Sequence, residues 1–234
     1  MSADPSPAAW VPIALSDKLA AGEVMRVETA GRDLAVWRAN AGTVQCVDNR
    51  CPHRGMRLSF GFVRGNRLNC IYHGWQYGTS GACQYIPAHP DLEPPASLCV
   101  PTLPCAESGG LVWISLDSET TPPNAVQSAA ALRSLAVNAS LETIQSQLHA
   151  DPLPSTTDPT HGCSATLRST HEQQVHLDLC LVDGQTHALV LWLQPATGGK
   201  SWVHAQLAAD CDTASRIAVS RWLEALRRSI EAPA

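Results

Sequence analysis

The first half of the chain consists of short segments of alternating or β-branched residues, separated by glycine, asparagine and proline. Glu23–Thr29 and Arg32–Arg38 flank an Ala-Gly turn, Thr43–Val47 follows a second turn, and Leu111–Leu116 follows a Gly-Gly pair. Successive side chains of a strand point to opposite faces, so such segments are typical of half-buried strands. Many short strands at close spacing predict an all-β domain made of small antiparallel sheets.

The pattern changes after Leu116. Asp117–Asn124 is rich in Ser, Thr and Pro and is predicted to be a linker, and Ala125–His149, rich in Ala, Ser and Leu, is predicted to be partly helical. Strand-like runs follow, and an Asp-Gly pair between the second and third marks a hairpin. The four predicted strands are Ser164–Ser169, Gln174–Val182, Thr186–Leu193 and Ser201–Ala208.

A helix is predicted over Ala214–Ile230, because apolar residues recur there at helical spacing. The residues assigned to its apolar face are Ile217, Leu223, Leu226 and Ile230. The pattern as a whole predicts two domains, an all-β domain over residues 9–117 and a reduced α+β domain over residues 125–234.

Composition and charge exclude several classes of partner. Hydrophobic residues make up 44% of the 234 residues, enough for a packed core, and the formal net charge is −5 with no Lys/Arg block. Nucleic acid is therefore not expected as a partner. No stretch approaches the roughly 18 apolar residues of a membrane span, and the acidic, proline-rich start is unlike a signal peptide. We expect a cytoplasmic protein with no membrane partner.

Two short boxes contain the informative chemistry. Cys51 and His53 are separated by one residue, and Cys70 and His73 by two. Two loops that each supply a thiolate and an imidazole can hold a [2Fe–2S] cluster, with two Cys on one iron and two His on the other. Zinc also favours mixed Cys/His ligands, so these residues alone leave a structural zinc site as an alternative.

The surrounding sequence resembles a known family. Trp10–Leu116 is similar to the N-terminal Rieske domain of the ring-hydroxylating and demethylating Rieske non-haem iron oxygenases. The similarity lies in Asp48–Gly61, which contains Cys-Pro-His-Arg-Gly, in Cys70–Pro87, which begins Cys-Ile-Tyr-His-Gly-Trp, and in the Gly-Gly-Leu-Val-Trp-Ile run. Met56 occupies the position where Rieske proteins of respiratory complexes have an extra cysteine, which favours the oxygenase branch.

The resemblance implies a cofactor, its ligands and partners. Cys51, His53, Cys70 and His73 would be the ligands of a [2Fe–2S] cluster. Neutral imidazoles in place of two thiolates raise the reduction potential to roughly −150 to +300 mV, against about −400 mV for plant-type clusters. A ferredoxin or a flavin reductase would then supply electrons, and the family commonly forms homo- or hetero-oligomers.

The resemblance also implies a mononuclear Fe(II) held by two histidines and a carboxylate. Asp158 and His161 match the start of that motif: the Asp would connect to the cluster histidine of a neighbouring subunit, and His161 would be the first iron ligand. The second histidine is expected at position 166, which is Thr166. His171 and His176 are five residues apart, and we place them on opposite faces of one strand, where they would not share a metal. The triad is therefore incomplete.

Three hypotheses remain at this stage. The preferred one is an electron-transferring subunit of a Rieske-type oxygenase system, whose second half is a shortened, helix-grip-like catalytic domain and whose reacting iron lies in a separate catalytic subunit. The second is a complete oxygenase with its own Fe(II) near His161. The third is a non-catalytic redox sensor or assembly module. An unrelated α+β domain is the alternative for the second half.

Overall fold

The structure is a computed structural model, and it describes residues 10–117, 129–149, 153–156, 161–171, 173–182 and 184–232. The chain divides into two compact units, one within Ala9–Asn124 and the other within Ala125–Ala234. The boundaries predicted at residues 117 and 125 stay predictions.

The described part of the first unit is all-β, with three small antiparallel sheets. Their strand orders are β1-β11-β10, β2-β3-β4-β9 and β5-β6-β7-β8. The strands are β1 (Trp10–Leu15), β2 (Val24–Thr29), β3 (Arg32–Arg38), β4 (Val44–Asp48), β5 (Phe62–Arg64), β6 (Arg67–Asn69), β7 (Gln76–Tyr77), β8 (Cys83–Tyr85), β9 (Thr102–Leu103), β10 (Cys105–Ser108) and β11 (Leu111–Ser115). The prediction of small antiparallel sheets is confirmed.

Turn chemistry and burial explain why these strands pair as they do. Ala30 and Gly31 both have positive φ, 47° and 73°, which matches the twist of the β2–β3 hairpin that they connect. β3 is buried on both faces, and Trp37 is completely inaccessible to solvent. β3 therefore contributes to two apolar clusters. The cluster that contains Trp37 also contains Cys51 and Cys70.

The second unit contains one five-stranded antiparallel sheet and two helices, with strand order β12-β16-β15-β14-β13. Its elements are β12 (Ala129–Val137), α1 (Leu141–Leu148), β13 (Cys163–His171), β14 (Gln174–Leu181), β15 (Thr186–Pro195), β16 (Ser201–Ala208) and α2 (Thr213–Glu231). The Asp212 side chain accepts a hydrogen bond from the Ser215 N–H (2.7 Å) and caps α2. An apolar cluster formed by one face of the sheet and the helices is the core of this unit.

The four predicted strands and the C-terminal helix are present, and the prediction that Ala125–His149 is partly helical is confirmed by α1. One expectation, the place of Ile217 on the apolar face of the last helix, needs correction. The described residues before α1 form β12, because Ala129–Val137 pairs with β16 along its length. Edge pairing and the burial of Leu135 outweigh the helical propensity of alanine. Ile217 is 40% exposed and lies off the buried face of α2, which Trp222 and its apolar neighbours form instead.

Among the described residues, none of the helices combines the length and the apolar character that crossing a membrane requires.

Candidate metal centre

Two loops of the first unit have the same backbone hydrogen bonds. In the first loop, which follows β4, the Cys51 N–H donates to the carbonyl of Met56 (2.8 Å), and the N–H of Gly55 donates back to the Cys51 carbonyl (2.8 Å). In the second loop, between β6 and β7, the Cys70 N–H donates to the carbonyl five residues later (2.9 Å), and the N–H four residues later donates back (3.0 Å). Each loop is therefore closed at its cysteine.

Glycine is required at the same place in both loops. Gly55 and Gly74 have φ values of 74° and 70°, in the left-handed region that other residues rarely adopt. A Cβ on Gly74 would also lie 2.9 Å from Cγ of Pro87. The left-handed backbone conformation at these two positions therefore explains why each loop has a glycine there.

The two thiols lie side by side in the interior of the unit. Cys51 is 3% exposed and Cys70 is 2% exposed. Burial raises the pKa of the Cys70 thiol, and the neighbouring Cys51 raises it further. Two adjacent thiolates at this position therefore need a positive charge beside them, which a ferric ion provides.

Tyr77 contacts this thiol pair. Its hydroxyl lies 3.0 Å from Sγ of Cys51, and the residue is 1% exposed. Burial raises the pKa of Tyr77, and the contact with Cys51 raises it further. The phenol therefore remains protonated and can donate its hydrogen bond to a Cys51 thiolate.

The two imidazoles lie together at the surface. The ring centroids of His53 and His73 are 4.5 Å apart, and both residues are exposed. Trp75 stacks on His53 with an interplanar angle of 4°, and Tyr72 lies 3.8 Å from the His73 ring. Desolvation lowers the pKa of His53, and the charges of His73 and Arg54 lower it further. The neutral imidazole, which is the ligating form, is favoured.

The four side chains predicted as ligands are thus sorted by type: thiol beside thiol inside, imidazole beside imidazole outside. A Rieske cluster uses this arrangement, because one of its irons takes two Cys and the other takes two His. A tetrahedral zinc ion instead gathers its ligands around one position. The described residues contain no group of three or more His, Cys, Asp and Glu side chains placed to hold a single ion. The residues present fit a two-iron cluster.

The second predicted site does not come together in the same way. Asp158 lies outside the described residues. Nδ1 of His161 is 3.0 Å from a guanidinium nitrogen of Arg221. The positively charged side chain of Arg221 therefore lies beside the residue predicted as the first iron ligand. Thr166, at the position expected for the second histidine, lies opposite Asp178 in the β13–β14 ladder.

The placement of His171 and His176 on one strand was wrong. His171 ends β13 and His176 lies in β14, and their ring centroids approach to 6.4 Å across the hairpin. Burial lowers the pKa of His176, and the charges of His171 and Arg168 lower it further. The positive charge of Arg168 beside the imidazoles of His171 and His176 disfavours binding of a metal cation there.

Sequence reasoning missed a buried polar chain in the second unit. His204 is 2% exposed; its Nδ1 is 2.8 Å from the hydroxyl of Ser134, and its Nε2 is 2.9 Å from Oε1 of Gln194. The alternation of β16 places His204 on the sheet face opposite Val203 and Ala205, which belong to the apolar core. The strand pattern alone would class this residue as an ordinary polar-face histidine.

Comparison with known proteins agrees with the geometry of the centre. Residues 9–104 match the family model described as Rieske [2Fe-2S] domain. This part of the chain is therefore a Rieske domain, and such domains bind a [2Fe–2S] cluster.

Similar proteins extend the assignment. Oxidoreductase NdmD of Pseudomonas putida is 33% identical over 216 residues, covering 85% of this chain and 35% of NdmD. Methylxanthine N1-demethylase NdmA of the same organism is 54% identical over 70 residues, covering 30% of this chain and 20% of NdmA. The chain therefore contains a Rieske [2Fe-2S] domain and is similar to an oxidoreductase and to a demethylase. It spans about a third of NdmD and about a fifth of NdmA.

Solved structures share the fold. NdmA of Pseudomonas putida CBB5, in a mutant with caffeine, has a TM-score of 0.73 and 24% identity, covering 96% of this chain and 81% of that one. Dicamba monooxygenase has a TM-score of 0.63 and 17% identity, and the match covers 96% of this chain and 98% of the dicamba monooxygenase chain. The fold similarity therefore includes both units of this chain.

Proposed function

We propose that this chain is an electron-transferring iron–sulfur component of a Rieske-type oxygenase system, with Cys51, His53, Cys70 and His73 as the cluster ligands. The observation that carries the proposal is the sorting of these side chains into a buried thiol pair and an exposed imidazole pair on two loops with the same hydrogen bonds.

The bound cluster supplies one-electron redox chemistry. The protein keeps the thiol end away from water and presents the imidazole end at the surface, where a redox partner can approach. The ring of Trp75 fixes the plane of His53, and the hydroxyl of Tyr77 neutralises part of the charge on Cys51. These contacts favour a fixed ligand geometry in both oxidation states.

The proposal includes the source and the destination of the electron. A ferredoxin or a flavin reductase supplies it, and a mononuclear iron in a separate catalytic subunit receives it. The contact between His161 and Arg221 favours this split arrangement, because a guanidinium beside an iron ligand opposes the charge of Fe(II). All nine cysteines are unpaired, which fits the reducing cytoplasm.

Iron analysis separates the split system from a complete oxygenase with its own Fe(II) at Asp158 and His161. The split system gives two irons and two acid-labile sulfides per chain, and a complete oxygenase gives three irons. A redox sensor or assembly module would also hold two irons. It would not increase product formation when added to a catalytic subunit with reductase, NADH and O2.

Ligand variants test the assignment residue by residue. Cys70→Ser and His73→Ala should each abolish the visible absorption of the cluster and lower iron below one atom per chain. His89→Ala is the matched control, because His89 is exposed and lies outside both loops. A chain that keeps two irons after either ligand change would contradict the assignment.

A further inference from the structure

Two arginines face each other across the hairpin of β5 and β6. Arg64 and Arg67 are direct partners in the antiparallel register, on either side of the two-residue turn Gly65-Asn66. Opposite residues of an antiparallel pair point to the same face of the sheet, with their Cβ atoms about 5 Å apart, and like charges at such positions destabilise the pairing. The hairpin therefore holds two positive charges where they repel each other.

Acidic side chains do not neutralise this pair. Residues 62–85, which contain the whole β5-β6-β7-β8 sheet, include no Asp or Glu. Within the part of the chain that the structure describes, neither arginine forms an ion pair: Arg67 donates to the amide oxygen of Gln76 (3.0 Å), and the guanidinium of Arg64 lies 5.2 Å from the centre of the Phe62 ring. Both contacts are with neutral groups, so both positive charges remain uncompensated.

The two arginines line one cavity of about 600 Å³, all of it within the first unit. Small-molecule sites in proteins have volumes of about 300–1,000 Å³. The other side chains that line this cavity are neutral and polar, namely those of Asn66, Gln76, Thr79 and Gln84. The lining therefore combines two positive charges, no negative charge and several hydrogen-bond donors, which is the chemistry that recognises an oxyanion.

The turn between the two arginines is held by a neighbouring turn of the same unit. The N–H of Asn40 donates to the carbonyl of Gly65 (2.9 Å), and the N–H of Ala41 donates to the side-chain oxygen of Asn66 (3.2 Å). These bonds fix the end of the hairpin without a ligand. A ligand therefore needs to order only the side chains around it, which lowers the entropic cost of binding.

We propose that this hairpin cavity, lined by Arg64, Arg67, Gln76, Thr79 and Gln84, binds the phosphate group of a small polar molecule. The N–H groups of a guanidinium match phosphate oxygens in bidentate pairs, and the negative charge of a phosphate removes the repulsion between the two arginines. The neutral amides and the hydroxyl can bond hydroxyl groups elsewhere on the ligand. The inference goes beyond the proposed electron transfer and does not depend on it.

Isothermal titration calorimetry of the iron-loaded full chain tests the proposal, with chloride salt holding the ionic strength constant. The probes are ribose 5-phosphate, inorganic phosphate and ribose. We expect one ribose 5-phosphate per chain with a Kd on the order of 1 mM or lower, and no binding of ribose. Tighter binding of ribose 5-phosphate than of inorganic phosphate would assign a phosphorylated metabolite to the cavity. Equal binding would assign free phosphate, and both results support a phosphate site.

The double variant R64Q/R67Q should bind ribose 5-phosphate about 10-fold or more weakly, because it loses the charge-assisted hydrogen bonds. The matched control, K200Q/R228Q, removes the same number of positive charges from exposed residues of the second unit and should bind within about twofold of the natural chain. Equal weakening in both double variants would overturn the proposal, since net charge alone would then explain the effect.

Thermal unfolding of the same samples separates binding from a folding defect. Ribose 5-phosphate should raise the unfolding temperature of the natural chain and leave that of R64Q/R67Q unchanged. If R64Q/R67Q unfolds early even without ligand, R64K/R67K is the second variant: it keeps both charges, loses the bidentate fork and should still bind more weakly than the natural chain. A natural chain that binds neither phosphate probe overturns the proposal. If that chain contains two irons, the proposed electron transfer is unaffected.

Discussion

Tyr77 shows how one buried side chain can set the properties of the cluster. Its hydroxyl has the Cys51 sulfur as its partner, 3.0 Å away, in an interior where water cannot replace the contact. A donor on the thiolate stabilises the reduced cluster more than the oxidised one, because the reduced cluster carries an extra negative charge.

Tyr77→Phe should therefore lower the reduction potential. If the hydrogen bond differs by about 1 kcal/mol between the two oxidation states, the shift is about 40 mV for one electron. A redox titration followed by EPR measures it. Tyr85→Phe is the control in the adjacent strand β8, and its potential should match that of the natural chain. Equal potentials for both variants would contradict the role given to Tyr77.

His204 should make the stability of the second unit depend on pH. Complete burial lowers the pKa of His204 from 6.5 to about 4. The native state therefore holds this residue neutral while the unfolded chain takes up a proton below pH 6.5, so stability falls as pH decreases through that value. Between pH 7.5 and pH 5 the loss is roughly 2 kcal/mol from this group.

Denaturant unfolding of the natural chain and of His204→Gln at both pH values measures the effect of His204. The variant should be less stable at pH 7.5, because the hydrogen bonds to Ser134 and Gln194 change, but it should lose less stability on acidification. If the natural chain and His204→Gln lose the same free energy of unfolding between pH 7.5 and pH 5, then His204 already titrates in the folded chain.

At the scale of elements, the hairpin of β5 and β6 depends on a glycine at its base. Gly61 has an ordinary φ of −77°, but a Cβ there would lie 2.1 Å from the carbonyl oxygen of Asn69. Asn69 directly precedes Cys70, so the close approach also fixes the start of the second loop. Space, and not backbone conformation, requires glycine at this position.

Gly61→Ala should destabilise the first unit by about 1–3 kcal/mol, because the strands must separate to admit the methyl group, and it should lower the iron content. Gly65→Ala in the turn of the same hairpin is the control: nothing lies within 4 Å of its Cβ, and only its φ of 58° opposes the change, at about 1 kcal/mol. Thermal unfolding and iron per chain measure both variants. Equal effects would show that crowding at Asn69 is unimportant.

The sequence was most informative where chemistry and local structure depend on residues close together in the chain. The turn at Ala30 and Gly31 and the final helix could be predicted because a few adjacent residues determine them. The assignment of the two boxes as cluster ligands rests on the same kind of local pattern and stays a prediction. Partners across strands could not be predicted. The approach of His171 and His176 depends on the register of the β13–β14 hairpin, which residue spacing does not give.

At the scale of the whole molecule, the two units differ in how much of their chemistry the residues define. The first unit contains the four residues proposed as cluster ligands, and the two cysteines among them are buried. In the second unit, the apolar cluster between the sheet and its helices includes Trp222 and Leu191, both inaccessible to solvent. The role that we propose for this chain, electron delivery, therefore rests on the residues of the first unit.

The most direct measurement is EPR with nitrogen double resonance on dithionite-reduced chain labelled with ¹⁵N-histidine, with iron quantified in the same sample. Ligation by His53 and His73 predicts the spectrum of a reduced [2Fe–2S] cluster, two coupled histidine nitrogens and two irons per chain. A colourless sample that contains zinc, or a cluster with no coupled histidine nitrogen, would contradict the central assignment.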